Sequence, residues 1–363
     1  MQTKVSNKSK ELSSILESHL SGKMNRARIK FMALMIISLC KVQTVCFERL
    51  SQGFETASKS GSSLRRIQRF MADYVLDMDL IARMIFSLLP HKPPYRLLMD
   101  RTNWKFGQTN INVLVVAIAY KGVSFPILYR MMNKKGASHI DERIAIINRY
   151  IGLFGKETIK ELLADREFIG ERWFGYLNKN AIRYYIRILG NYQVMHAING
   201  KTMQVSRLFE SLKVNSVKFL SKPYWVTGRI CHLAAYCFIN QGKRDLVIIA
   251  SFSKTRESIN EYAKRWQIES MFRAIKSSGF NIQRTHLSDI NRFEKLLTLV
   301  FIAFLWAYLT GIYIHKKIKR IRLLKHGRKA KSFFKYGLEY IADWLLNPYR
   351  QNNINPNKFL SCT

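Results

Sequence analysis

The sequence is poor in acidic residues. Against 60 Lys and Arg it sets only 24 Asp and Glu, a formal charge of +36, and a chain so one-sided repels itself unless a polyanion neutralises it. Nucleic acid or an anionic membrane surface is therefore the expected partner, and binding to phosphates should weaken steeply with salt. Cysteine is sparse and unclustered: Cys40, Cys46, Cys231, Cys237 and Cys362 are odd in number, with no CxxC pair. That pattern reads against a disulfide framework and for reduced, intracellular thiols. Neither zinc-finger spacing nor an HExxH helix occurs, and no GxxxxGK[ST] loop points to ATP. The start, MQTKVSNKSKELSS, has no apolar stretch and no small-residue cleavage site. It does not read as a secretory signal, so a cytoplasmic, nucleoid-associated protein is expected. There is no internal repeat and no long low-complexity segment.

One long apolar run is present. Residues 296–314, LLTLVFIAFLWAYLTGIYI, carry no charge and are followed by the basic HKKIKRIRLLKHGRKAK. Such a run is long enough to span a bilayer, with a positive flank. A helix buried in a large core is apolar all round for the same reason. Hydropathy alone leaves both readings open, and the carboxylate pattern below favours burial, with no membrane partner expected. At 363 residues the chain can bury a core, as one large domain with appendages or as two to three smaller ones.

Apolar residues recur at helical spacing over 27–50 and again over 64–89, with the Ser- and Gly-rich SQGFETASKSGSS between them. The second helix would open with Ser62 and Ser63 as capping hydroxyls beside Arg65, Arg66 and Arg69. That is a suitable place for DNA phosphate contact, although an ordinary solvated basic face explains each arginine equally well. Pro93-Pro94 ends the helical pattern. From Tyr95 three apolar runs, YRLLMDRTNW, INVLVVAIAYKG and VSFPILYRMM, read as consecutive antiparallel strands. Helical spacing returns over 141–154; KELLADREF reads as a fourth strand, 170–178 as a short helix and RYYIRIL as another strand. This order describes a mixed α/β core of the ribonuclease-H-like kind. Residues of about 190–255 read as a β-rich insertion and 258–277 as a helix, with a basic helical stretch after Gly279. The expected division is a helical DNA-binding region at 1–92, a catalytic domain at 93–280 and a basic helical C-terminal region at 281–363.

The helix ESINEYAKRWQIESMFRAIKSSG carries the sharpest pattern. Tyr262, Arg265, Glu269 and Lys276 are separated by three, four and seven residues, which at about 100° per residue places them in a narrow arc of one helix face. Ile268, Met271, Phe272 and Ile275 form a second, apolar face. A carboxylate between cations suits a phosphodiester, with Glu269 on a divalent metal and Tyr262, Arg265 and Lys276 on phosphates. A plain i,i+4 pair of Arg265 and Glu269 on a solvated helix explains the same residues without chemistry. Two aspartates shift the balance. Asp100 follows Leu97-Leu98-Met99 in a strand, where an unpartnered carboxylate is costly to bury. Asp165 follows Leu162-Leu163-Ala164 at a strand end, where a helix N-cap is the competing reading; Glu167 is a possible substitute ligand. Two strand-borne aspartates and a helix-borne glutamate form a hard-oxygen site suited to Mg²⁺. Two such ions roughly 4 Å apart can serve in-line displacement at phosphorus.

Together LLMDRTNW, LLADREFIGERWFGYL and the spacing Tyr-x2-Arg-x3-Glu-x6-Lys resemble the DDE transposases of bacterial insertion sequences, in the branch marked by a Tyr-Arg-Glu-Lys signature. The resemblance covers roughly residues 95–280. It implies Asp100, Asp165 and Glu269 as metal-binding catalytic residues, with two Mg²⁺ ions for which Mn²⁺ can substitute. It further implies that Tyr262, Arg265 and Lys276 contact transposon-end DNA. A homodimer synapsing two terminal inverted repeats, cut-and-paste transfer to target DNA and a hairpin route at the excised end belong to the same implication. Trp173 and Trp225 are candidates to stack a displaced base, with plain core packing as the alternative. Two rivals remain: a ribonuclease-H-like nuclease that cuts without joining, and a non-catalytic basic protein bound to nucleic acid or membrane.

Overall fold

A computed structural model of the chain describes residues 7–106, 109–285, 287–347 and 354–361. The first six residues of the polar N-terminus and Cys362 lie outside this range. The fold divides into two compact units. One comprises the described parts of Met1–His91, Trp104–Ile111 and Phe272–Thr363, and the other Lys92–Asn103 and Asn112–Met271.

The N-terminal part of the first unit is helical: α1 (Asn7–Leu20), α2 (Arg26–Val42), α3 (Phe47–Gln52), α4 (Ser60–Asp73) and α5 (Met78–Ser87). The single helices expected over 27–50 and 64–89 are thus each two. Gln43 turns left-handed at φ 51° and ends α2. Asp77 starts α5 afresh, its carboxylate accepting from the amides of Asp79 and Leu80, the usual work of an N-cap. Ser62 and Ser63 do not cap α4. The N-cap is Lys59, without a side-chain bond, and Ser63 is buried inside the first turn.

The second unit is built on a mixed sheet. In chain order its elements, with the tips of β1 and β2 from Trp104 to Ile111 counted with the first unit, are β1 (Tyr95–Phe106), β2 (Thr109–Tyr120), β3 (Val123–Met131), α6 (Ile140–Phe154), β4 (Ile159–Ala164), α7 (Glu171–Lys179) and β5 (Tyr184–Ile188). There follow β6 (Gln193–His196), β7 (Thr202–Gln204), β8 (Val217–Phe219), β9 (Tyr224–Val226), β10 (Arg229–Asn240) and β11 (Lys243–Ser251). Last come α8 (Ser258–Ala263) and α9 (Trp266–Arg273). The strands run in the order β3-β2-β1-β4-β5-β11-β10-β9-β6-β7, with β8 against β10. β2 and β3 are antiparallel, β1, β4 and β5 are mutually parallel, and β11 is antiparallel to β5. Consecutive residues of the inner strands, Leu97 to Met99 in β1 and Leu162 to Ala164 in β4, are fully buried. Strands covered on both faces read in sequence as unbroken apolar runs, which is why they were legible. This is the mixed α/β, ribonuclease-H-like architecture expected.

Residues 190–255 are β-rich as anticipated, but the pieces join differently. Arg229 and Ile230 run on through Asn240 as the single strand β10, and are not part of the strand before the turn. Thr227 and Gly228, at φ 45° and 74°, make the turn between β9 and β10, and two left-handed residues in a row are what a tight two-residue hairpin needs. The last expected strand, β11, lies directly beside β5 in the main sheet.

The chain returns to the first unit with α10 (Ile290–Lys317) and α11 (Phe333–Leu346). α10 contains the 296–314 run and is long and apolar enough to cross a membrane, yet 89% of its most apolar window is buried within the protein. Its neighbours include α11, α2, α4 and α5. The approach of α10 to α11 rests on two glycines. A Cβ on Gly311 would stand 1.9 Å from the Phe333 carbonyl oxygen, and one on Gly337 would stand 1.8 Å from the Ala307 oxygen. Backbone meets backbone there, and only glycine leaves room.

Candidate active site

The sheet register sets the two aspartates side by side. Parallel β1 and β4 pair Leu98 with Leu163 and Met99 with Ala164, so the next residues, Asp100 within β1 and Asp165 just past the end of β4, come side by side at the carboxyl-terminal end of β4. That end is where parallel strands of α/β folds commonly place their ligands. The helical pair α8 and α9 brings Tyr262, Arg265 and Glu269 to this end. The sequence pattern suggested one helix over 258–277; instead α8 ends at Ala263, α9 starts at Trp266, and Ala274–Ser278 is wound as a π-turn. Arg265 sits at the break, its amide bonded to the Tyr262 carbonyl at 2.8 Å. Ile268 and Met271 are fully buried, and Phe272 and Ile275 nearly so, as their spacing implied.

Three carboxylates surround one guanidinium. Arg265 Nη1 donates to Asp100 Oδ2 at 3.0 Å, and Nη2 donates to Glu269 Oε1 at 2.6 Å while lying 3.9 Å from Asp165 Oδ2. The arginine side chain is only 7% exposed, and its Nε is buried without a hydrogen-bond partner. Burial by itself would lower the guanidinium pKa, but Tyr262, Asp100, Asp165 and Glu269 together hold it above the ordinary arginine value. Asp100 feels the opposite pressure. Its carboxyl is pushed up to about 6, chiefly by burial and further by Glu167 and Asp165, against the pull of Arg265 and the Arg101 amide. The Tyr262 hydroxyl donates to Asp165 Oδ1 at 3.2 Å and, being buried, has its pKa raised. Asp165 does not cap a helix, because α7 begins later with Gly170 as its N-cap; its Oδ1 accepts from the Arg166 amide instead.

Two supporting networks lie behind these residues. Arg101 forks onto Glu167, with Nε and Nη2 at 3.2–3.3 Å from its oxygens, and its Nη1 donates to Asn112 Oδ1 at 3.2 Å. Asn112, almost fully buried, donates in turn to the Lys134 and Gly136 carbonyls at 3.0 Å. The middle of β1 is thereby tied to the turn after β4. Deeper in the sheet Arg96 lies 2.5 Å from both Glu161 and Glu261, joining β1, β4 and α8. Burial and the neighbouring Glu261 raise the Glu161 pKa. Burial also opposes ionisation of Glu261, but hydrogen bonds from Arg96, Glu161 and Lys264 hold its pKa low. Sequence reasoning passed over Arg96 and Glu161. The signal was available: each is the charged residue that opens the apolar run, four residues before its aspartate, in RLLMD and ELLAD.

The other expected contacts fall elsewhere. Lys276 belongs to the first unit, in the π-turn, with Nζ 5.1 Å from the centre of the Trp104 ring. Arg65 and Arg69 are exposed on α4, whereas Arg66 is half-buried with its guanidinium 5.4 Å from the Phe31 ring centre. Trp173 is fully buried and stacked on Tyr176 at 5.7 Å, so it is a core tryptophan and not a platform for a displaced base. Trp225 is half-buried on β9, opposite Ile230.

The donor set fits a hard divalent cation. Three carboxylates converge on a single positive centre, which the guanidinium supplies as a stand-in ion. Among the described residues no three Asp, Glu, His or Cys side chains are arranged around an open point for a metal; a metal at this centre requires Arg265 to move. Asp100, Asp165 and Glu269 would then hold it, Glu269 and Asp165 being the more exposed of the three.

No curated protein matches the chain. The family model of the transposase DDE domain matches residues 92–306, the span that runs from the first strand of the sheet through Asp100, Asp165 and Glu269, and the chain belongs to that family.

Proposed function

We propose that this transposase cuts the ends of an insertion sequence and joins their 3′ hydroxyls to target DNA, using Asp100, Asp165 and Glu269 as its catalytic metal-binding carboxylates. Membership of the family makes the chain a DDE transposase of the insertion-sequence kind, and such enzymes act on DNA with divalent metal ions. The observation that carries the residue assignment is the convergence of the three carboxylates, from the adjacent parallel strands β1 and β4 and from α9, on one cation. Bound there, two Mg²⁺ ions would supply activation of the attacking oxygen and stabilisation of the leaving one.

The protein's own groups have definite work in this reading. The Arg101–Glu167 fork and the Arg96–Glu161–Glu261 cluster keep β1, β4 and α8 in register beneath the carboxylates. Arg265 and Tyr262, at hydrogen-bond distance from those carboxylates, are placed to reach phosphates of DNA bound beside them. The Tyr-x2-Arg-x3-Glu-x6-Lys spacing supports assignment to the Tyr-Arg-Glu-Lys branch, with Lys276 as a further phosphate contact. Cut-and-paste transfer by a homodimer synapsing two ends follows from that branch. The exposed Arg65 and Arg69 on α4, with Arg66 beside them, suit phosphate contact by the N-terminal helices within 1–92, with 93–280 as the catalytic domain and 281–363 as a basic helical region.

The test is Mg²⁺-dependent cleavage of the element's own end by purified protein, beside Asp100→Ala, Asp165→Ala and Glu269→Ala. Each variant should bind the end duplex as the parent does and lose cleavage by a factor of about 10³ or more. Retained cleavage in any variant removes that residue from the catalytic set. Addition of target DNA separates a transposase, which yields joined products, from a nuclease that only cuts. Hairpin or linear ends among the products decide the excision route.

A further inference from the structure

We propose that Arg265 is a built-in counter-cation, occupying the centre of the Asp100, Asp165 and Glu269 carboxylates until a divalent ion displaces it. The inference rests on reading these carboxylates as the metal site, and adds to it a competition between a residue of the chain and the metal.

The geometry of the arginine carries the argument. Its two terminal nitrogens reach all three carboxylates, at 3.0, 3.9 and 2.6 Å. A further donor, Nε, is buried and makes no hydrogen bond. Among the described residues the guanidinium is held by these carboxylates and by Tyr262, whose ring centre lies 5.8 Å from its central carbon. A structural arginine of this depth would be expected to spend all its donors, because an unmade buried bond is costly. Position matters too: Arg265 lies at the interruption between α8 and α9, so its side chain is not confined by a regular helical turn on its N-terminal side.

Charge gives the competition its direction. Three carboxylates confined together repel one another, and removing one partner from a buried cluster leaves the rest uncompensated. One guanidinium offsets a single charge and a divalent ion offsets two, so the ion is the better occupant once the arginine has another anion to bind. A DNA phosphate is such an anion, since guanidinium and phosphate match in geometry. By reciprocity, DNA that takes up Arg265 favours the metal and the metal favours that DNA. The arginine thus keeps the site assembled but closed when DNA is absent.

The probe is Mn²⁺, titrated by calorimetry or electron paramagnetic resonance into the full-length protein without DNA. Arg265→Met, which removes the competing charge and keeps much of the bulk, should bind Mn²⁺ about tenfold or more tightly than the parent. Arg265→Lys, a point charge without the fork, should show a smaller gain. With EDTA the Met variant should melt below the parent, and Mn²⁺ should restore it. An arginine that merely shapes the site gives the opposite result, weaker Mn²⁺ binding in both variants, and equal or weaker binding overturns the proposal. If the Met variant does not fold, the Lys variant decides on the same criterion. Adding Asp165→Asn to Arg265→Met tests the underlying reading separately: the gain should vanish, and a gain that persists places the metal elsewhere and removes the three carboxylates as its site.

Discussion

Asp100 has the most altered chemistry of any carboxylate at the site, and the alteration has a measurable sign. Its ordinary value is 3.8, and in the folded protein burial pushes it up to about 6. The folded state therefore holds this proton more tightly than the unfolded chain. The associated stability is fully present below about pH 4 and is lost as the pH rises through about 6. Asp100→Asn, neutral at every pH, lacks that slope. In EDTA the parent's melting temperature relative to the variant should fall between pH 4 and 6 and level off above. A difference that stays flat across this interval would mean that Asp100 is not shifted upward. The position of Asp100 after an apolar run was legible, because a carboxylate there needs a partner. Its actual partner was not: the i,i+4 relation of Arg265 to Glu269 is visible in sequence, but the reach of the same guanidinium to Asp100 and Asp165 joins residues 165 and 100 positions apart.

Among the elements, α10 and α11 show best how packing overrides local preference. Gly337 lies in α11, where alanine would ordinarily be the better helix former by about 1 kcal/mol. Backbone atoms of α10 occupy the space its Cβ would take, and forcing atoms into such a contact costs about 1–3 kcal/mol. Gly337→Ala should therefore destabilise the protein. Gly152, in α6, has nothing within 4 Å of its would-be Cβ, so Gly152→Ala should stabilise by about 0.5–1 kcal/mol. Thermal melts of the two variants should move in opposite directions, and a shift of the same sign would refute the packing argument. Neither glycine is distinguishable from the other in sequence. Element boundaries were similarly half-legible. Asp77 is a visible cap within the 64–89 pattern, whereas the interruption at Lys264 and Arg265 leaves the apolar positions in phase and passes unnoticed by periodicity.

For the whole molecule the dominant quantity is the charge of +36. Binding of a duplex should release many condensed counterions; a protein making six to ten phosphate contacts loses about 10³–10⁵ in affinity between 50 and 200 mM salt. A fluorescence-anisotropy titration with end duplex across this range should give a steep linear fall of log K with log salt. A flat dependence would show that the basic surface does not engage phosphates. The same charge leaves the tertiary arrangement open: the first unit combines helices from both ends of the chain, with α2 against α10 and α11, a long-range pairing with no local signature.

The sequence by itself determined the polyanionic partner, the inner strands, the two aspartates that follow their apolar runs and the Tyr-Arg-Glu-Lys spacing. Each is a property of composition or of short-range periodicity, which reports which side chains an element presents. Tertiary structure alone decided that the 296–314 run is a buried helix, that Trp173 is core and that Arg265 stands among three carboxylates. Burial and choice of partner depend on residues brought together from distant parts of the chain, and no local pattern encodes which of them will meet.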